Sequence, residues 1–114
     1  MKIHMIGSKL VSGQGIGDKL VSGVAVVATT AEEAVEKMTE GSVLVVKTTD
    51  KDYMPAIDLA SALVVEEGGL TSHAAVVAIA KGIPVVVGAT DATTAIEVGK
   101  LISVDPKAGD IFLG

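Results

Sequence analysis

Short apolar runs, punctuated throughout by glycine and aspartate, divide the chain into many small elements. Residues 43–47, 62–65 and 84–87 read Val-Leu-Val-Val-Lys, Ala-Leu-Val-Val and Pro-Val-Val-Val. Continuous apolar stretches of this length predict strands covered on both faces, as in a parallel sheet. Further strands are predicted at 9–12, 24–28, 101–104 and 110–113, with Pro106-Lys107-Ala108-Gly109 as the turn of a C-terminal hairpin. Thr30 followed three residues on by Glu33 is a capping box that starts a helix running to Met38. Asp50 or Asp52 begins a second helix over 53–60, and residues 73–81 form a third, so apolar and alanine-rich that it predicts a covered helix. Strands alternating with helices imply right-handed parallel crossovers, hence an α/β fold with a largely parallel central sheet, flanking helices and a terminal hairpin.

Composition narrows the function classes. At 114 residues and 49% hydrophobic the chain suits one domain, residues 1–114. It falls well short of a (β/α)8 barrel, about 250 residues in the common case. The nine Lys+Arg residues are all lysines, so no guanidinium fork is present to grip a phosphate in bidentate fashion. A formal net charge of -5 with 2% aromatic residues argues against nucleic acid, lacking both a basic footprint and stacking platforms. The chain has no cysteine, which removes disulfides and thiolate chemistry, and its two histidines, His4 and His73, lack metal-ligand spacing, so no metal site is expected. No apolar run reaches the roughly 18 residues of a membrane span, so a soluble, cytoplasmic protein without membrane contact is expected.

The candidate chemistry sits at Gly68-Gly69-Leu70-Thr71-Ser72-His73-Ala74-Ala75, between the predicted strand 62–65 and the third helix. His73 falls in the first helical turn, where backbone N–H groups lack internal partners and carry the positive end of the helix dipole. An anion attached to the imidazole would meet ready donors there. His73 is the candidate nucleophile, Thr71 and Ser72 are candidate caps or hydroxyl donors, and Gly69, Thr71, Ser72 and Ala74 are the candidate phosphate-binding positions.

The run from Glu66 to Ala78 with Gly82-Ile83-Pro84-Val85-Val86-Val87-Gly88 resembles the phosphohistidine swivelling domain shared by pyruvate phosphate dikinase, phosphoenolpyruvate synthase and enzyme I of the sugar phosphotransferase system. Within that family, Gly13-Gln14-Gly15-Ile16-Gly17, Thr30-Ala31-Glu32-Glu33-Ala34, Met54-Pro55-Ala56-Ile57 and Ala92-Thr93-Thr94 are similar to the extra C-terminal domain of bacterial pyruvate kinases. The resemblance implies a swivelling β/β/α fold, His73 as phosphoryl acceptor and Thr71 as its support. It also implies a parent kinase that supplies magnesium, potassium and catalytic domains as partners, with phosphoenolpyruvate or phosphate at the His73 loop and no cofactor held by this domain itself. Phosphotransferring members usually carry an arginine six residues after the histidine, where this chain has Ile79. Two readings follow: a carrier that moves a phosphoryl group between phosphoenolpyruvate, nucleotide and pyruvate sites, or a structural and regulatory tail. A free-standing histidine phosphocarrier is the alternative.

Other motifs are weaker. Gly13-Gln14-Gly15-Ile16-Gly17 departs from G-x-G-x-x-G at Asp18 and reads as a turn between strands. Glu66 and Glu67 read as a solvated strand end, and His4 as surface or interface packing. Lys9-Leu10-Val11-Ser12-Gly13 recurs at Lys19-Leu20-Val21-Ser22-Gly23, one echo and too few for a repeat protein.

Overall fold

The apolar runs become strands with both faces buried. In the computed structural model, which describes residues 7–114, β4 (Val43–Val46), β5 (Ala62–Val65) and β6 (Val85–Val87) bury every residue. Their side chains alternate between two cores. Leu44, Val46, Leu63, Val65, Val85 and Val87 face one core, while Val43, Val45, Ala62, Val64 and Val86 face the other. His4 lies outside the described residues.

Helices cover the first core. α1 (Ala31–Lys37), α2 (Met54–Ile57) and α3 (His73–Lys81) seat Ala34, Ala56, Ile57, Ala74, Ala75 and Ala78 against the sheet. The second core is closed by β1 (Lys9–Ser12), β7 (Leu101–Asp105), β8 (Asp110–Leu113) and α4 (Ala92–Ala95) through Ile102, Val104, Ile111, Ala92 and Ile96. Truncating a fully buried residue such as Leu63 to alanine costs about 2–5 kcal/mol.

The strand order is β1-β8-β7-β3-β4-β5-β6-β2, where β2 is Gln14–Ile16 and β3 is Val21–Val27. β3 pairs antiparallel with β7 through Val21–Val24 and parallel with β4 through Ala25–Val27, so it joins the antiparallel layer to the parallel one. β4–β5 and β5–β6 are parallel, and β7–β8 forms the expected terminal hairpin. The α/β architecture expected from the pattern, with a parallel centre, is therefore present.

The boundaries hold some corrections. The glycine-rich segment 13–17 is not a plain turn but carries β2, which pairs antiparallel with β6. A Cβ on Gly15 would collide with the Pro106 carbonyl, and Gly17 has a φ of 137. These glycines serve close backbone approach to the β7–β8 turn and leave no loop for a dinucleotide. β3 starts at Val21, so the second Lys-Leu-Val-Ser-Gly copy runs on into a long strand where the first ends at Gly13. The second helix is shorter than 53–60: a 3-10 turn, Lys51–Tyr53, capped by Asp50 leads into α2, and an i→i+3 bond from Ala60 N–H to the Ile57 carbonyl tightens its exit. α1 and α3 match their predicted spans, and Thr30 Oγ1 accepts from the Glu33 N–H at 3.1 Å. Glu33 reaches back to Thr29 rather than to the cap itself and also holds Lys37. Led by the Lys37 hydrogen bond and then those from Thr29, its carboxyl pKa drops to about 2.

Candidate functional site

The carboxyl ends of the parallel strands carry the loops that build the site, the usual location in α/β sheets. Past β5 the ladder persists for two residues, with Glu66 N–H donating to the Val46 carbonyl and Glu67 N–H to that of Lys47. Gly68 then turns the chain at φ 100, and a Cβ there would lie 2.8 Å from the Ser72 Cβ. Only glycine accepts both the backbone angle and that approach. Ser72 caps α3: its hydroxyl accepts from Ala75 N–H at 3.4 Å and its carbonyl from Val76 N–H at 3.0 Å.

Because Ala74, Ala75 and Ala78 are the buried positions of α3, the His73 ring is turned outward and exposed. Its Nδ1 lies 2.9 Å from Oγ1 of Thr49, a residue only 8% exposed, in the loop after β4. The ring is therefore held by a hydroxyl from the neighbouring strand's connection, 24 positions away in sequence. With Nδ1 engaged, Nε2 is the ring nitrogen without a hydrogen-bond partner among the described residues.

The remaining candidates divide. Thr71 is exposed beside the cap, and no hydrogen bond joins it to His73 among the described residues. Gly69 is half-buried and its carbonyl accepts from Ser72 N–H at 3.1 Å. Ala74 is buried, with its amide in the first turn beside that of His73. Ile79 is 57% exposed on the outward side of α3, as is Val76 at 56%, so the helix expected to be covered leaves an apolar face bare.

Glu66 is a correction to the solvated strand end. It is half-buried, and one carboxylate oxygen accepts from Thr93 N–H at 2.8 Å and from the Thr93 hydroxyl at 2.5 Å. The Thr93 hydroxyl has the largest effect on the Glu66 carboxyl and lowers its pKa; burial comes next and opposes it, and the Thr93 N–H and the Lys47 charge add to the lowering, so the group stays below the usual carboxylate range. Glu66 thereby caps α4, whose own cap residue Asp91 makes no side-chain hydrogen bond. Glu67 is exposed, as expected. Among the described residues no group of three or more His, Cys, Asp or Glu is placed to hold a metal, and no helix is long and apolar enough to cross a membrane.

Three comparisons bear on this arrangement. The family described as "PEP-utilising enzyme, mobile domain" matches residues 38–109. Pyruvate kinases of Lactobacillus delbrueckii subsp. bulgaricus and Geobacillus stearothermophilus are 56% and 54% identical over all 114 residues, which make up 19% of each relative's length. The chain thus spans about a fifth of those relatives. The phosphoenolpyruvate synthase of Aeropyrum pernix is 47% identical over 95% of this chain and 13% of its own length. Among solved structures, an Enzyme I protein superimposes with a TM-score of 0.60 at 24% identity, covering 70% of this chain and 33% of that one. Thermococcus kodakaraensis aconitase X gives 0.66 at 18% identity over 95% and 99%, a likeness of fold alone. By the family match and by its homology to the C-terminal region of bacterial pyruvate kinases, the chain belongs to the mobile domains of PEP-utilising enzymes.

Proposed function

We propose that residues 1–114 form the C-terminal swivelling domain of a cytoplasmic pyruvate kinase, and that His73 accepts and passes on a phosphoryl group within it. The observation that carries this reading is the exposed ring anchored through Nδ1 by Thr49. With the ring proton on Nδ1 donated to Thr49 Oγ1, Nε2 keeps its lone pair and points it at solvent. That nitrogen attacks phosphorus in line: an N–P bond forms as the donor's P–O bond breaks, and the leaving oxygen keeps the bonding electrons. Transfer to an acceptor runs the same exchange in reverse. The first-turn amides of His73 and Ala74, the Thr71 and Ser72 hydroxyls and the Gly69 amide are the groups proposed to receive the phosphate oxygens.

The domain contributes no arginine, and its described carboxylates do not assemble a metal site. Arginines, magnesium and potassium therefore belong to the catalytic domains of the parent in this reading. Ile79, at the position where phosphotransferring relatives usually carry arginine, favours a second reading: a structural or regulatory domain whose His73 loop is an anion site. The free-standing phosphocarrier is the third. The carrier readings are separated from the structural one by intact-mass spectrometry at neutral to alkaline pH, after incubation with phosphoenolpyruvate or ATP in lysate of the source cells. A carrier gains one acid-labile phosphoryl mass that His73→Ala lacks. No gain, under conditions that load a known phosphohistidine protein, overturns the carrier reading. An antibody blot of the same lysate separates a domain from a free carrier: a band at 11.4 kDa would contradict the pyruvate kinase domain.

A further inference from the structure

The connection from β2 to β3 sets two charges of opposite sign beside an apolar groove. Asp18 and Lys19 are exposed on the bend between Ile16 and Val21, and neither makes an ion pair among the described residues. Both line an open groove of about 480 Å³ at the amino ends of β5 and β6, the end of the parallel sheet away from His73. Ile16 and Ile83 are half-buried on the first core and form its floor with buried Pro84, while Ile79 stands exposed on the α3 side. Gly17 and Gly82, at φ 137 and 73, line it without a side chain, and a Cβ on Gly82 would meet nothing within 4 Å. The volume lies in the range of small-molecule sites, about 300–1,000 Å³, which combine an apolar lining with a few placed polar groups.

The polar groups fix the chemistry of an occupant. Ser61 Oγ donates its proton to the Gly41 carbonyl at 2.8 Å, so toward the groove it can only accept a hydrogen bond. The Asp18 carboxylate likewise only accepts, and the Lys19 ammonium only donates. Lys81, next to Gly82, is taken up by Asp58 at 2.6 Å, which leaves Lys19 as the cation of the groove. A matching ligand has an ammonium for Asp18 and Ser61, an anion for Lys19 and an apolar body for the isoleucine floor. Asp18 and Lys19 are adjacent, with Cα atoms about 3.8 Å apart, so the two ligand charges must also lie close together. A free α-amino acid meets all three conditions.

We propose that this groove binds a free α-amino acid with a branched apolar side chain, its ammonium group held by Asp18 and Ser61 and its carboxylate by Lys19. The site lies outside the His73 loop, and the proposal does not depend on the carrier reading. Because the groove is open, both charges keep part of their water, and an affinity on the order of millimolar is expected.

The test is an amide NMR titration of the 114-residue chain with L-leucine. Two analogues accompany it: 4-methylpentanoate, which lacks the ammonium group, and 3-methylbutylamine, which lacks the carboxylate. Saturable shifts at Gly17, Lys19, Ser61 and Gly82 are expected with leucine, and binding weaker by about threefold or more with each analogue. Lys19→Ala and Asp18→Ala, both at exposed positions, should each weaken leucine by about threefold or more, with their spectra verifying the fold. Lys100→Ala, exposed in the loop before β7, should leave the affinity unchanged. No saturable shift at about 10 mM leucine, where a millimolar site is about nine-tenths filled, overturns the site. So does binding of either analogue as tight as leucine, or equal weakening by Lys100→Ala. Shifts of the same amides with protein concentration alone would give the groove to a second copy of the chain and also overturn the proposal.

Discussion

The connections leaving β5 and β6 start from neighbouring parallel strands and both enter a helix, yet they are built for opposite purposes. Between β6 and α4 the chain turns at Gly88 and Asp91, the latter a non-glycine residue at φ 67, and locks inward. Ala89 N–H donates to the Val65 carbonyl, and Thr93 donates twice to Glu66. Between β5 and α3 the strained position is glycine, the cap is local, and the histidine is left outward with one ring nitrogen tied and one free. The first connection spends its polar groups on holding the structure together, whereas the second holds a reactive group in place without covering it.

Gly68→Ala strikes the reactive connection hardest. It adds a left-handed backbone penalty, roughly 1–2 kcal/mol, to an overpacking cost of about 1–3 kcal/mol against Ser72, so a loss of about 3 kcal/mol is expected by chemical denaturation. His73 phosphorylation should fall with it, since Ser72 begins α3. Thr93→Val keeps the N–H but removes the hydroxyl donated to Glu66; a loss of about 1–2 kcal/mol is expected, with His73 labelling by phosphoramidate retained. Loss of labelling in a folded Thr93→Val protein would mean that the two connections are not separable. Thr49→Val is the converse: under 1 kcal/mol of stability but roughly a tenfold slower labelling, equivalent to about 1.4 kcal/mol of barrier. The smallest effect is on pH dependence. Glu66 has a lowered pKa, so the stability it contributes is complete above the ordinary carboxylate value of 4.5 and is lost as pH falls through its folded value. Acid unfolding of Glu66→Gln should lose that part of the pH dependence, and an unchanged acid profile would show that Thr93 holds the side chain without favouring its charge.

What the sequence made legible follows from distance along the chain. The parallel strands stood out because Val43–Val46 and Ala62–Val65 are buried on both faces and so read as unbroken apolar runs. α3 was legible at both ends because Ser72 caps it locally and Gly82 closes it in the left-handed region. α4 was not, since its four residues are capped by a carboxylate 27 positions upstream. β2 carries no such signal, because three residues containing Gly15 form a strand only once β6 lies beside them. The same limit applies to the site. His73, Ser72 and the glycine turn form one local motif, but Thr49 carries no signal of its own and becomes a ring partner only when β4 and β5 pair in register. The alanine-rich helix read as covered, because the pattern does not say which apolar faces this chain covers by itself.

The most direct test of the central claim is which ring nitrogen takes the phosphoryl group. Phosphorus–nitrogen NMR of the isotope-labelled chain after phosphoramidate treatment resolves the two isomers. Anchoring of Nδ1 by Thr49 predicts phosphate on Nε2 of His73 alone; phosphate on Nδ1, or none on His73, would contradict the account.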